Sequence, residues 1–588
     1  MSTETRHRPV AEASPHAGGS ILDAVMARVR PAVALLFGFS VVANLFKLVF
    51  PLFLLQVVDR VLSSRDTYTL VFLTMIAVFA LAAGSIINVV VRIYQTRLGS
   101  WVEATLLEPT IRSGVNGRLN RRSLGPQILR DLTQVGGFFG NNTLSMMFDL
   151  PWVLIFMTVL YLMSPVLGAI ATGFAVVLVI LAILHGAVTR SAQDALGEET
   201  GQAAQMVARG FQNAEVIHAM GLTDRFLHAA STRSDLARAG KDANAERGET
   251  LMMAIRGIRQ MAQICILAAG AFLVIEGSVS AGVMIAGSIL LGLALSPIDQ
   301  APATWRGWLM YRDSSARLRR QLATLDESAL AGRASVTAPR GDITVTEALY
   351  LPPGQRRPVI RPISFSVGPG ETVGVIGSSG SGKSVLVRMA LGLLPPTGGS
   401  VQLDGVNMHE WLATGIGTHI GYQPQDLSFL GGTVGDNIAR FDPPSAERAA
   451  RLQAAASEVG VLDTVLNLPQ GMETDCDMAV ATLSRGTLQQ LSLARAFYGD
   501  PQIIVLDEPT TFLDRVSEQA LVEALDRAKA RGATTLLVTQ RSALLRSCDR
   551  LILLRDGMMD GYGPPDTVLE RLRNGQRQGP ANLRLASN

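Results

Sequence analysis

Eight residues, Gly377-Ser378-Ser379-Gly380-Ser381-Gly382-Lys383-Ser384, leave the second half of this chain little choice of fold. The apolar run Thr372-Val373-Gly374-Val375-Ile376 comes directly before them, and Val385-Leu386-Val387-Arg388-Met389-Ala390-Leu391 directly after. Strand, glycine loop and helix, in that order, is the context a P-loop needs. Glycines let successive backbone N–H groups curl around a phosphate chain with no Cβ in the way. The following helix points its positive end at the same anion. In that setting Lys383 reaches the β- and γ-phosphates and Ser384 offers its hydroxyl to Mg²⁺. A glycine-rich turn with a chance lysine would match neither the spacing nor both flanks. The stretch therefore predicts nucleoside-triphosphate binding.

At 588 residues the chain exceeds one domain, and length alone predicts about three to four domain-sized units. Only 17% of residues are charged against 48% hydrophobic, and the mean hydropathy is +0.28. That deficit of charge belongs to the first half, where apolar runs of about 20 residues recur and suit a bilayer better than a soluble core. Six spans are predicted, at 31–58, 68–91, 146–163, 166–184, 251–275 and 281–295. Long loops bearing arginine (92–142 and 187–250) alternate with short loops of little net charge. By the positive-inside rule the long loops and both termini are cytoplasmic. The first apolar run is too long for a cleaved signal and is expected to stay in the membrane.

The domain plan that follows has five parts. A polar N-terminal segment occupies 1–30, with 21–29 as a short amphipathic helix on the membrane. A transmembrane domain with two long cytoplasmic loops follows at 31–313, then a helical exit and linker at 314–340. An α/β nucleotide-binding domain fills 341–575, and a disordered tail 576–588. A net charge of +3 gives no argument for nucleic acid. Cys265, Cys476 and Cys548 are far apart and form neither a metal-ligand spacing nor a disulfide framework.

A P-loop needs carboxylates, and Ile503-Ile504-Val505-Leu506-Asp507-Glu508 supplies two at the end of a buried strand. Asp507 is the candidate to hold Mg²⁺ through water, and Glu508 to act on the attacking water as general base. Between the two motifs lie Gln425, within Gly421-Tyr422-Gln423-Pro424-Gln425-Asp426, and Leu483-Ser484-Arg485-Gly486-Thr487 ahead of a helix. With Leu513-Asp514 beyond, this order resembles an ABC-transporter ATPase domain. The resemblance implies ATP with Mg²⁺ at Ser384, Gln425 and Asp507. It also implies that Ser484 and Gly486 close over the γ-phosphate held by an opposite subunit, so that dimerisation is part of the mechanism.

The membrane half narrows the family. Val57-Val58-Asp59-Arg60-Val61-Leu62-Ser63-Ser64-Arg65, Phe148-Asp149-Leu150-Pro151-Trp152, Asn213-Ala214-Glu215-Val216-Ile217-His218-Ala219-Met220-Gly221, Ala294-Leu295-Ser296-Pro297-Ile298-Asp299-Gln300 and Trp305-Arg306-Gly307 resemble the permease/ATPase of type I secretion systems, of the protease and lipase exporter kind. The likeness covers about residues 30–570. It implies a multi-pass protein of the bacterial inner membrane with a cytoplasmic ATPase. Its implied partners are a periplasmic membrane fusion protein, an outer-membrane channel, membrane lipid and an unfolded protein substrate with an uncleaved C-terminal signal. No peptidase-like domain precedes the first span, which argues against a leader-cleaving exporter. Residues 213–221 match the place of a coupling helix that docks into the ATPase domain. Blander readings stand beside these: Asp59-Arg60 as a turn with an ion pair, and 148–152 as an interfacial aromatic anchor.

Departures from the family gather on the nucleotide loops. Where a histidine should follow Thr534-Thr535-Leu536-Leu537-Val538-Thr539, the residue is Gln540. A glutamine can donate a hydrogen bond to a γ-phosphate but cannot bring positive charge to a transferring phosphoryl group. Arg485 and Thr487 alter the signature, Leu488-Gln489-Gln490 lacks its arginines, and Thr474-Asp475-Cys476-Asp477-Met478-Ala479 lacks the Gly-Glu pattern. Tyr350 is a candidate to stack on adenine. The reading is a subunit that binds ATP and hydrolyses it slowly, as half of a heterodimer with a paralogue. A homodimer that tolerates Gln540 is the alternative. A lipid or small-molecule exporter, and a non-hydrolysing nucleotide-gated subunit, are the competing functions.

Overall fold

The computed structural model describes residues 21–119, 127–329, 338–413 and 416–577. They form two compact units that divide at Thr324 and Leu325. The first is helical, as a bilayer demands of a chain that must satisfy its backbone polar groups internally. Among the described residues, six helices are long and apolar enough to cross a membrane: Ile21–Ser64, Thr67–Val115, Thr143–Met163, Pro165–Gly186, Gly248–Ile275 and Ala281–Ala323. Several run far past the hydrocarbon. Thr67–Leu119 and Thr223–Ile275 have 53 residues each, roughly 80 Å at 1.5 Å per residue, against a core of about 30 Å. Residues 213–221 interrupt the long helices with the short helix Ala214–Ala219, where Val216 and Met220 are exposed.

Three expectations are revised in this unit. Residues 21–29 do not form a separate surface helix: Ile21–Lys47 is unbroken, with Leu22, Val25 and Val29 buried on one face. Asp23 pairs with Arg319 at 2.7 Å, so this face packs on protein. The helical exit expected from residue 314 continues the sixth-span helix as far as Ala329, with Ser314, Leu318 and Leu322 buried; residues 330–337 lie outside the described residues, as do 1–20 and 578–588. Asp59 serves a different partner from Arg60. In a π-turn at Val57–Val61 it accepts from the N–H of Gly282 at 2.8 Å and from the Ser280 hydroxyl, tying the first span to the start of the sixth. Trp152 is buried against Phe156 rather than standing as an interfacial anchor. Its neighbour Asp149 accepts from Asn44 at 2.7 Å and pairs with Lys47 at 3.1 Å.

The second unit holds ten described strands in two sheets. β1 (Ile343–Tyr350), β2 (Ile360–Val367), β4 (Gly398–Leu403) and β5 (Val406–Asn407) make a small antiparallel sheet in the order β2-β1-β4-β5. β3 (Thr372–Gly377), β6 (Ile420–Gln423), β7 (Ile503–Asp507), β8 (Thr534–Val538), β9 (Arg550–Arg555) and β10 (Met558–Gly563) make the larger one, ordered β10-β9-β3-β8-β7-β6. All its pairings are parallel except β9 with β10. β7 and β8 are buried along their whole length, the continuous apolar run that a parallel strand covered on both faces requires. Register decides what meets what. Val538 is level with both Val375 and Asp507, and Gln423 with Leu506. The segments leaving β3, β6, β7 and β8 therefore emerge together at one carboxyl edge, where open parallel sheets place their ligands.

Candidate nucleotide site

The glycine loop leaves β3 at Gly377 and enters the helix Lys383–Ala390 through Gly382, whose φ is +101°. A Cβ on Gly382 would lie 2.5 Å from Ile360 Cδ1, so only glycine fits the turn. Around Gly380 nothing lies within 4 Å of an added Cβ, so the loop's crest is open. Lys383 Nζ donates to the carbonyls of Gly377 and Ser378, at 3.0 and 2.9 Å. Ser381 is buried and its Oγ has no partner among the described residues.

Asp507 ends β7 only 1% exposed, with Oδ1 likewise unpartnered. Burial pushes its carboxyl above the ordinary value. A hydrogen bond from Ser384 works against the rise, and Glu508 adds to it. Two orphaned buried oxygens, Ser381 Oγ and Asp507 Oδ1, beside a lysine and an open crest of N–H groups fit a phosphate chain with a hydrated Mg²⁺. Glu508 takes the left-handed conformation, φ +52°, a position that non-glycine residues occupy at a cost and that clusters at functional sites. Its N–H bonds to the Val538 carbonyl at 2.9 Å, and its Oε2 accepts from Gln425 Nε2 at 3.3 Å. The structure thus brings Gln425 onto Glu508. Gln540 lies exposed two residues beyond β8, at the same edge.

The signature residues sit at the start of the helix Arg485–Phe497. Ser484 caps it, its Oγ accepting from Thr487 N–H at 3.1 Å. Gly486 faces the Phe512 carbonyl, which an added Cβ would meet at 2.8 Å. Asp514 caps the next helix through Ser517 N–H, which holds its carboxyl below the ordinary value. Tyr350 does not offer a face for stacking: it is 6% exposed, in the core of the small sheet.

Two residues that the motifs did not single out stand beside these. Arg388, on the P-loop helix, hydrogen-bonds Tyr422 of β6 and lowers the pKa of Asp507 by its charge. Gln489 is buried and bridges the Glu508 carbonyl (3.1 Å) and the Phe512 N–H (2.8 Å). A glutamine between Leu488 and Gln490, with Leu491 next, on a helix buried nearly all round was the available signal.

Comparison with known proteins agrees with this geometry. Residues 360–511 match the ABC transporter family model, and 33–298 the ABC transporter transmembrane region. The chain is 35% identical over 540 residues to the type I secretion system ATP-binding protein PrsD of Rhizobium meliloti (strain 1021), covering 92% of each. It is 25% identical to the leukotoxin translocation ATP-binding protein LktB of Mannheimia haemolytica, over 90% of this chain and 75% of that one. In fold it matches a bacterial Atm1-family ABC exporter with ATP bound, with TM-score 0.76 and 19% identity over 95% of this chain and 100% of the other. With a six-span helical unit, an α/β P-loop unit and a relative this similar along nearly its whole length, the chain belongs to the ABC transporter family of type I secretion ATP-binding proteins.

Proposed function

We propose that the chain binds ATP with Mg²⁺ at the carboxyl edge of β3, β7 and β8 and uses it to drive type I secretion of an unfolded protein. It acts in the bacterial inner membrane with its ATPase unit and both termini on the cytoplasmic side. A periplasmic membrane fusion protein and an outer-membrane channel are its partners. The observation that carries the reading is the convergence of Lys383, the unpartnered Asp507 Oδ1 and the Gln425–Glu508 pair at one edge.

The loop N–H groups of residues 377–382 and the Lys383 ammonium hold the β- and γ-phosphates. Ser384, Asp507 and Gln425 would hold Mg²⁺, which would supply charge neutralisation at the phosphate oxygens. Glu508 accepts the proton of the attacking water, and Gln425 fixes the orientation of its carboxylate. Gln540 donates a hydrogen bond to the γ-phosphate and adds no positive charge, so the phosphoryl group loses one source of stabilisation. Ser484 and Gly486 close on the nucleotide of a second subunit, either another copy or a paralogue. Slow hydrolysis within a heterodimer is the reading that Gln540 favours.

The test is ATP turnover of the purified chain alone, beside Glu508→Gln. A wild-type rate on the order of 1 s⁻¹ or more, abolished by the substitution, establishes a competent homodimer and removes the slow-subunit reading. Turnover equal to the Glu508→Gln control, with ATP still bound, establishes a passive subunit. A steep rise in Gln540→His identifies the missing cation as limiting.

A further inference from the structure

We infer that Arg485 and Gln489 are positioning residues that latch the turn Glu508–Phe512 to the signature helix, so that the setting of the Glu508 carboxylate depends on the setting of that helix. The inference rests on the reading of Glu508 as the general base and adds residues to its support.

The latch has two points and one close approach. Gln489 sends its amide both ways, donating to the Glu508 carbonyl at 3.1 Å and accepting from the Phe512 N–H at 2.8 Å. It thereby spans both ends of the turn, which is closed internally by Thr511 Oγ1 donating to the Glu508 carbonyl at 3.1 Å. Four residues earlier on the helix, one turn away, the Arg485 guanidinium lies over the Phe512 ring, 5.5 Å from its centre. Between them Gly486 lies against the Phe512 carbonyl, too close for any side chain. A single helix face therefore holds the ring, the N–H and the carbonyl of Phe512 and the carbonyl of Glu508. Glu508 needs such support, since its φ of +52° persists only where its surroundings over-determine it. Arg485, an outlier when judged as a signature residue, has its partner in Phe512. The two form a cation–π pair in which both members are exposed and the contact tightens the turn.

Hydrogen exchange of the full chain in detergent, read on the peptide covering 508–513, tests the latch without needing turnover. Arg485→Ala raises exchange there about two- to fivefold, the worth of an exposed cation–π pair. Gln489→Leu raises it about ten- to a hundredfold, because the Phe512 N–H and Glu508 carbonyl lose a buried partner. Phe512→Ala reproduces the Arg485→Ala effect, the double variant is no worse than either single one, and Phe512→Tyr, which keeps the ring, restores the wild-type rate. In ATP turnover Arg485→Ala lowers kcat and leaves KM unchanged. Unchanged exchange in Arg485→Ala overturns the latch even where Gln489→Leu fails to fold. Raised exchange with kcat untouched overturns the positioning role. Should wild-type turnover equal that of Glu508→Gln, the proposed hydrolysis fails on its own, and the exchange of 508–513 still decides the latch.

Discussion

Asp507 Oδ1 is buried without a protein partner, and burial raises the carboxyl's pKa. The folded chain thus keeps this proton to higher pH than the unfolded chain does. Ionised Asp507 therefore costs stability, and stability falls as pH rises from the unfolded toward the folded pKa. Two outcomes follow. Asp507→Asn raises the melting temperature of the nucleotide-free protein in calorimetry while removing its Mg²⁺-dependent stabilisation by ATP. In the wild type, that stabilisation weakens on acidification at a pH above the ordinary carboxylate range, because the metal takes only the ionised form. Lys383, Asp507 and Glu508 were legible in the sequence because spacing along one strand and one loop fixes them. Gln489 and Arg388 were not, because their partners Glu508 and Tyr422 come from other elements and meet them only through packing.

At the scale of elements, the helices transmit position through a few polar clamps. Arg440 donates to the carbonyls of Ile420, Arg495 and Ala496, at 2.9 Å each, pinning β6 to the C-terminal end of the signature helix. Burial among these carbonyls pulls its guanidinium down to about 10. In the membrane unit, Asp131 is 1% exposed and pairs with Arg317 at 2.6 Å, with Ser314 donating to it at 3.0 Å. This joins Gln127–Gly140 to the extension of the sixth-span helix. Arg317→Ala leaves the buried Asp131 carboxylate with Ser314 and without its cation and is expected to cost about 1–3 kcal/mol, less than a fully buried pair because Arg317 is partly exposed, read as a fall in melting temperature of the detergent-solubilised chain. Replacing both Asp131 and Arg317 with apolar residues recovers most of that loss. The sequence named 314–340 as a helical exit and linker from its Arg, Ala, Ser and Thr content; the helix runs to Ala329, and what the sequence did not show is the clamp and the burial of Leu318 and Leu322.

For the whole molecule, the span count and the α/β unit were both readable: apolar length sets the first, and the alternation of strand and helix patterns around the P-loop sets the second. The number of copies in the assembly is a separate matter. Light scattering of the purified chain, corrected for detergent, is expected to give two copies of 62.8 kDa if it pairs with itself. A single-copy mass assigns the second nucleotide site to a paralogous subunit.

The sequence by itself determined where the glycine loop and the acidic strand end lie, and that six segments must be helices, because glycine spacing and apolar length act locally along the chain. Tertiary structure alone decided that Gln425 sits on Glu508, that Arg485 finds Phe512, and that Asp59 holds the start of the sixth span. Those contacts depend on strand register and helix packing, which join residues far apart in the chain and leave no period or spacing in the sequence to read.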